Sequence, residues 1–319
     1  MIICEALPKP QLLLYALIFL FVNSLIFPTS VQAQHNPLFS QYMFNGLVLN
    51  PAYAGSRDVL SVTGFYRNQW TGFQGAPKSQ SFTAHSPLKS EHNNLGLTLA
   101  HDQLGVSSHT MLNGSYAYRI DLGQKTGRLA FGIQGGISLL QDRWTEITTD
   151  QPGDAVFQAN SPTFVVPRVG FGVLYDTRNW FLGASAPFLL DYKGKDYALY
   201  VNNSFQFRPY LVTGGWAIRL NPDLVIRPSF LFKYLKHAPE QIDLNANLII
   251  RKSLWLGLSY RSGDALIGMV EFQLTPQLRL GYAYDYSVTE LQKYNNGSHE
   301  FMLRYEFGYR IKAMSPRYF

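Results

Sequence analysis

Short segments in which apolar and polar residues alternate recur along most of this 319-residue chain. The clearest is 298–310, where Leu303 and Tyr305 fall on one face and Met302 and Arg304 on the other. Successive side chains of a β-strand point to opposite faces, so such a segment turns one face to an apolar medium and the other to water or polar partners. The pattern predicts about fourteen strands of about ten residues, joined as consecutive hairpins.

The composition of the two faces separates a membrane barrel from a soluble β-sandwich, which also shows alternation. Here the apolar face is rich in Tyr, Phe and Leu, and the polar face in Gly, Ala, Ser and Arg. Small residues and arginines suit a polar interior, whereas bulky apolar residues suit lipid. Four of the five tryptophans lie at predicted strand ends, as in an aromatic girdle: Trp70, Trp144, Trp180 and Trp255. The sequence therefore predicts an all-β fold, a transmembrane antiparallel β-barrel of about fourteen strands.

The predicted connections alternate between tight turns and longer loops. Tight turns are predicted at 176–179, 221–223, 251–253 and 275–277. The long loops are predicted at 141–162, 191–204 and 288–298. Outer-membrane barrels have short periplasmic turns and longer outer loops, so we expect both termini to face the periplasm.

The two ends of the chain contain further segments. Residues 1–33 are predicted to be a secretory signal peptide, because the apolar run Leu12–Phe27 precedes the small-residue site Val31–Ala33. A transmembrane anchor is the alternative, but a spanning helix needs about 20 apolar residues. We expect residues 34–57 to be a periplasmic or plug segment, 58–312 the outer-membrane barrel and 313–319 a C-terminal tail.

The residue types needed for several kinds of chemistry are missing or scattered. The only cysteine, Cys4, lies in the predicted signal peptide, and the seven histidines show no metal-ligand spacing. The net charge of +6 comes from basic residues spread singly along strands, which does not favour nucleic acid as a partner. His101 and Asp102 beside Ser107 and Ser108 allow an outer-membrane hydrolase as an alternative, without an identifiable activating group. We expect no cofactor, no metal and no enzymatic activity.

Three motifs near the N-terminus resemble the start of the PorP/SprF family. They are Gln41–Asn45, Leu49–Gly55, and Tyr66–Phe73 followed by Gly75-Ala76-Pro77. The ending Ser315–Phe319 is similar to that family's usual C-terminus, and Gly46 departs from it where a proline is common. The resemblance covers essentially the whole chain after the signal peptide.

This resemblance implies a membrane component of the type IX secretion system and gliding apparatus of Bacteroidota, located in the outer membrane. It implies export or surface retention of secreted adhesins, with the periplasmic ring proteins and the adhesin or its C-terminal domain as partners. Outer-membrane lipid and lipopolysaccharide would surround the barrel. A general or anion-selective diffusion porin remains the alternative from barrel architecture alone.

Two sets of residues are candidates for function. We expect partner contacts at the aromatic residues of the N-terminal segment, in the longest loop and in the tail: Phe39, Tyr42, Phe44, Tyr53, Trp144, Phe157, Arg317, Tyr318 and Phe319. Burying each large aromatic side chain gains about 1.5–3 kcal/mol, which favours docking of the N-terminal segment at the barrel mouth or in the lumen over a free tail. Alternation predicts that charges line the lumen, among them Arg119, Arg168, Arg219, Arg227, Lys233, Arg251, Arg261, Arg279, Arg304, Arg310, Asp243, Glu271, Asp285 and Glu306. Their basic excess fits either an anion-selective pore or a bound acidic plug.

Overall fold

The structure is a computed structural model that describes residues 39–123, 127–147, 157–189, 208–236 and 238–308. These residues form a closed antiparallel sheet in which each strand pairs with its sequence neighbours and the first strand pairs with the last. The predicted signal peptide and C-terminal tail lie outside the described residues. No helix in the described ranges is long and apolar enough to cross a membrane.

Counting the two parts of β8 as one strand, the barrel has 14 strands, which confirms the predicted fold. The strands are β1 Leu60–Asn68, β2 Lys78–Pro87, β3 Asn93–Leu104, β4 Ser107–Asp121, β5 Arg128–Asp142, β6 Phe164–Asp176, β7 Trp180–Ala186, β8 Tyr210–Trp216 with Ile218–Arg219, β9 Leu224–Tyr234, β10 Gln241–Ile250, β11 Leu254–Arg261, β12 Ala265–Gln273, β13 Leu278–Ser287 and β14 Ser298–Phe307. β8 is interrupted at Ala217, where the paired positions skip Arg227 and Pro228 of β9, and Pro228 has no N–H to offer the ladder. β7 ends earlier than predicted because Pro187 follows it.

The two faces of the strands differ as a membrane barrel requires. In β14, Leu303 is 51% exposed on the outer wall, whereas Met302 and Arg304 are each 2% exposed on the inner wall. Leu303 lies opposite Gly64 of β1 in the register that closes the barrel. The outer wall is therefore apolar, the inner wall mixes polar and apolar side chains, and the alternation within β14 is the one that the sequence predicts.

The two ends of the barrel differ in their connections. We call the end with the connections 88–92, 122–127, 177–179, 220–223, 251–253 and 274–277 the tight-turn end. The opposite end carries the connections 69–77, 143–163, 187–209, 235–240 and 288–297, together with two short turns, and we call it the long-loop end. β1 runs from the tight-turn end to the long-loop end. Because neighbouring strands are antiparallel, this direction shows near which end of the barrel each inner residue lies.

The tryptophans are only partly arranged as a girdle. Trp180 and Trp216 stack on the outer wall at the tight-turn end, with ring centroids 5.8 Å apart. Trp255 was expected in the girdle, but it lies inside the barrel and is 5% exposed. Its neighbours Leu254 and Leu256 occupy the outer face of β11, so alternation turns Trp255 inward.

Candidate functional site in the barrel lumen

The described chain before β1 lies inside the barrel. We call Phe39–Asp58 the lumen segment; it contains three short 3-10 turns, Tyr42–Phe44, Gly46–Val48 and Pro51–Tyr53. The last turn is set by its sequence, because the Asn50 side chain accepts a hydrogen bond from the Ala52 N–H (2.9 Å) and the ring of Pro51 fixes its own φ angle at the first position of the turn. Gly55 then adopts a φ of 71°, which glycine tolerates without strain.

The aromatic side chains of the lumen segment are buried against the inner wall. Phe39 packs on Phe65, with ring centroids 5.3 Å apart, and Phe44 meets Trp255 edge-on at 5.4 Å. The exposed fractions of Phe39, Tyr42, Phe44 and Tyr53 range from 2% to 7%. Enclosure by the barrel makes these four side chains inaccessible, so the structure places them in the lumen and not on a surface that a partner could reach.

Glycines of the wall make room for the lumen segment. An ideal Cβ added to Gly132 of β5 would lie 2.1 Å from the Ala52 nitrogen, and one added to Gly172 of β6 would lie 2.0 Å from Asn50 Oδ1. A Cβ on Gly281 of β13 would lie 2.4 Å from Gln41 Oε1. These strands therefore carry glycine where the segment touches them.

A buried ion-pair cluster holds the start of the lumen segment at the long-loop end. Glu300 of β14 accepts the backbone N–H groups of Ser40 (2.7 Å) and Gln41 (2.8 Å). Arg67 of β1 donates to Glu300 at 3.1 Å and to Asp285 of β13 at 2.7 Å. Each of the three charged side chains is at most 3% exposed. Because buried charges need close partners, this cluster favours a single position of the segment.

Arg261 extends the cluster along the wall. Its guanidinium lies 3.0 Å from Asp243, 3.3 Å from Asp264 and 3.8 Å from Asp285. Because Asp285 also contacts Arg67, five strands share one network at this end of the lumen: β1, β10, β11, β13 and β14. Sequence reasoning placed Arg261, Asp243 and Asp285 inside the barrel and missed Glu300 and Arg67, although alternation puts Arg67 on the same face as Phe65.

A second cluster holds the other end of the lumen segment, at the tight-turn end. Asp58 accepts hydrogen bonds from Arg119 (3.2 Å) and Arg128 (2.8 Å), and Arg128 also donates to Asp176 at 2.9 Å. The Gly55 N–H donates to His85 Nδ1 at 3.1 Å. Asp58, Arg128 and Asp176 were also missed from the sequence. The lumen segment therefore runs along the barrel axis from the long-loop end to the tight-turn end. The described chain thus starts at the long-loop end, whereas the N-terminus was expected at the tight-turn end with the C-terminus.

Between the two clusters, wall side chains bind the backbone of the segment. Arg304 donates to the Phe44 carbonyl, and Arg227 donates to the Met43 carbonyl at 3.4 Å. Ser185 donates to the Leu49 carbonyl at 2.7 Å. Asn50 in turn donates from its side chain to the Val173 carbonyl at 3.0 Å. The three contacts to carbonyls of the segment fix its path independently of its side chains.

Some of the charged side chains that alternation predicts to face the lumen are buried inside the barrel, and others are exposed near its end. Arg119, Arg227 and Arg304 are 1% to 3% exposed inside the barrel. Arg279 stacks over Trp255 at 4.7 Å and pairs with Glu271 at 3.3 Å, and Glu306 lies 4.0 Å from Arg57. Two expectations are corrected: Arg219 is exposed because β8 ends with it at the rim, and Arg251 lies in a turn with 79% of its side chain exposed. Arg310 lies outside the described residues.

The residues proposed for a hydrolase do not converge. Consecutive residues His101 and Asp102 point to opposite faces of β3, and His101 contacts Thr110 at 2.8 Å. Ser107 donates to Asp142 at 2.6 Å. Within the described ranges, no group of three or more His, Cys, Asp and Glu side chains could hold a metal ion.

The other expected contact residues lie near or beyond the edge of the described chain. Trp144 belongs to a 3-10 turn, Trp144–Glu146, in the connection between β5 and β6, and it is partly buried. Phe157 in the same connection is also partly buried. Arg317, Tyr318 and Phe319 lie outside the described residues.

Solved outer-membrane barrels share the architecture at very low sequence identity. The outer membrane protein Omp33 of Acinetobacter baumannii is 9% identical, with 78% of this chain and 98% of that chain covered and a TM-score of 0.46. The KdgM porin is 10% identical, covering 78% and 99%, with a TM-score of 0.37. A bacterial polysaccharide outer membrane secretin is 9% identical, covering 79% and 99%, with a TM-score of 0.43. These likenesses concern the fold alone.

Sequence comparison identifies the family. No curated protein matches the chain. The family model for the type IX secretion system membrane protein PorP/SprF matches residues 31–305, which is most of the 319-residue sequence. With its closed 14-strand barrel, this chain belongs to the PorP/SprF family of type IX secretion system membrane proteins and is an outer-membrane protein.

Proposed function

We propose that this barrel is a non-enzymatic component of the type IX secretion system that supports export or surface retention of secreted adhesins and, in a gliding organism, motility. Family membership supports the secretion role. The occupied lumen is the observation that favours a docking role over a transport role. The barrel presents surfaces to partners, and the cargo takes another route.

The lumen argument rests on burial and pairing. A diffusion porin needs a continuous polar path for water and solutes. Here the lumen segment follows the barrel axis between two ion-pair clusters, and its side chains from Phe39 to Tyr53 include several that are at most 7% exposed. Removing the segment would leave Arg67 and Glu300 without some of the groups that hold them, so an empty lumen is an unfavourable state.

Because the lumen segment is enclosed in the barrel, partners outside the membrane can reach only the two ends of the barrel. The tight-turn end offers few residues, so contact from the periplasm would use the turns and the tail that includes Arg317, Tyr318 and Phe319. We assign the periplasmic ring proteins to this end. The adhesin or its C-terminal domain is assigned to the long loops, where Trp144 and Phe157 are candidate anchors because aromatic residues commonly dominate interfaces.

A deletion strain tests the secretion role. Surface display of a specific secreted protein should be lost, as should gliding where it occurs, while envelope integrity persists. Complementation with the wild-type chain should restore display. Unchanged secretion combined with reduced uptake of a small solute would contradict the proposal and support a porin.

Conductance tests the lumen argument separately. Purified protein in planar bilayers should show little steady current, and a variant lacking residues 39–55 should show more. Large, stable openings of the intact protein would favour the general or anion-selective porin. This measurement does not depend on the identity of the secreted cargo.

A further inference from the structure

The connection between β1 and β2 forms a groove at the long-loop end. Residues 69–77 fold beside the β3–β4 turn and border a half-open concave space of about 510 Å³. This volume is within the range of about 300–1,000 Å³ typical of small-molecule sites. The lining includes Asn68, Trp70, Phe73, Gln74, Lys78 and Gln103, and we call it the loop groove.

The loop groove is held in a fixed shape. Trp70 has a φ of 49°, which is unfavourable for a bulky residue, and its N–H donates to Ser298 Oγ at 3.0 Å. Thr71 exchanges two backbone hydrogen bonds with the β13–β14 connection, its N–H donating to Gly297 and its carbonyl accepting from Asn296, both at 2.8 Å. Such strain persists only where the surroundings enforce it, and it is concentrated at functional sites.

The backbone of the loop is largely occupied by its own contacts. The Phe73 N–H donates to the Trp70 carbonyl at 3.0 Å, and the Ala76 N–H donates to the Phe73 carbonyl at 3.2 Å. On the neighbouring turn, the Gly105 N–H donates to the Gly75 carbonyl at 2.9 Å. Addition of a peptide strand needs free main-chain groups, so this groove is poorly suited to it.

What the groove offers is aromatic surface and side-chain amides. Phe73 is 48% exposed, and Trp70 is half-buried. Asn68, Gln74 and Gln103 carry amides, which both donate and accept hydrogen bonds. The described lining contains Lys78 as its cation and no carboxylate. Aromatic rings suit the apolar face of a sugar ring, amides suit its hydroxyl groups, and a lone lysine favours a negatively charged sugar.

We propose that the loop groove binds an acidic saccharide, as part of a surface polysaccharide chain. The expected orientation of the barrel places the long-loop end outside the cell, where such chains are found. The inference goes beyond the secretion role and does not depend on it. It assigns a ligand to Trp70 and Phe73 of the Tyr66–Phe73 motif, whose Arg67 already belongs to the lumen site.

Calorimetric titration of the purified full-length barrel in detergent tests the proposal. The probe is the lipid-free acidic polysaccharide released by mild acid from the host's lipopolysaccharide, with neutral dextran oligosaccharides and an acidic peptide as comparison ligands. Binding should be saturable for the polysaccharide. Phe73→Ala should weaken it at least tenfold, and Lys78→Met should reduce the preference over dextran.

Two control variants test whether weaker binding reflects loss of a groove side chain and not a general change of the barrel. Tyr294→Ala removes an aromatic side chain that is 67% exposed at the same end but outside the groove, and it should leave affinity unchanged. Trp70→Gly removes the ring while relieving the positive φ, so the barrel should stay folded by its heat-modified gel migration. Absence of saturable binding, equal weakening by Tyr294→Ala, or binding of the acidic peptide in place of the polysaccharide would overturn the proposal.

Discussion

Replacing Gly132 by alanine should displace the lumen segment. The new Cβ would lie 2.1 Å from the Ala52 nitrogen and 2.4 Å from the Pro51 carbonyl carbon, whereas ordinary contacts begin at 3.4 Å. The segment would therefore have to move by about 1.3 Å, the difference between 3.4 and 2.1 Å. Both sides of the clash include backbone, so no side-chain rotation can relieve it.

The cost has two parts. Overpacking of a filled interior costs about 1–3 kcal/mol. A shift of this size also weakens the Asn50 contact to Val173 and the Ser185 contact to Leu49, now at 3.0 and 2.7 Å. Each buried hydrogen bond contributes about 1 kcal/mol, so we expect a total loss of about 3–5 kcal/mol. The lumen segment should leave its place before the wall unfolds, because the strands keep their ladder.

Gly135→Ala is the matched control. Gly135 lies on the same strand, and a Cβ there would meet nothing within 4 Å. We expect Gly132→Ala to show steady conductance in planar bilayers and a lower denaturant midpoint, and Gly135→Ala to behave as wild type. Identical conductance and denaturant midpoints for the two variants would refute the conclusion that the lumen segment packs against Gly132.

Three further substitutions test other contacts. Leu303→Arg places a charge on the lipid face and should destabilise the barrel by about 2–4 kcal/mol, which would be measured as poor recovery of folded barrel in membranes. The control Tyr294→Arg, in a loop, should be tolerated. Equal recovery of the two variants would mean that the β14 register is shifted. Glu300→Gln weakens the contacts of Glu300 with the start of the lumen segment and should lower the free energy of chemical unfolding by up to about 3 kcal/mol. The control Glu146→Gln, in an exposed ion pair, should lower it by less than about 1 kcal/mol. A smaller effect at position 300 than at position 146 would contradict the anchoring role of Glu300. Asp58→Asn should cost about 1–2 kcal/mol and raise conductance, and an unchanged current would argue against an anchor at the tight-turn end.

The strands could be predicted because each side chain must suit the medium that it faces, which is lipid outside the barrel and the lumen inside. Lipid requires an apolar side chain and the lumen a polar or small one, so the period of two in β14 reports which side Leu303 and Arg304 face. The same rule gives the face of a side chain and not its depth along the barrel axis. Arg219 was therefore assigned to the lumen although it lies at the rim, where its side chain is exposed.

The contacts of the lumen segment could not be predicted in the same way. Glu300 binds Ser40 across 260 positions of the sequence, and no local pattern links them. The aromatic content predicted that the segment is buried, but not which wall residues meet it. Trp255 illustrates the limit: its position at a strand end suggested lipid, whereas its partner Phe44 comes from the other end of the chain.

The direction of the lumen segment has a consequence for biogenesis. The last strand, β14, supplies Glu300 and Arg304 to backbone groups near the start of the segment, and it also pairs with β1, which follows the segment directly. The contacts of the N-terminal aromatic stretch with β14 can therefore form only after the final hairpin has been added to the barrel. We expect closure of the seam and docking of the segment to be coupled late steps, so a chain stalled before β14 would expose that stretch to chaperones and proteases.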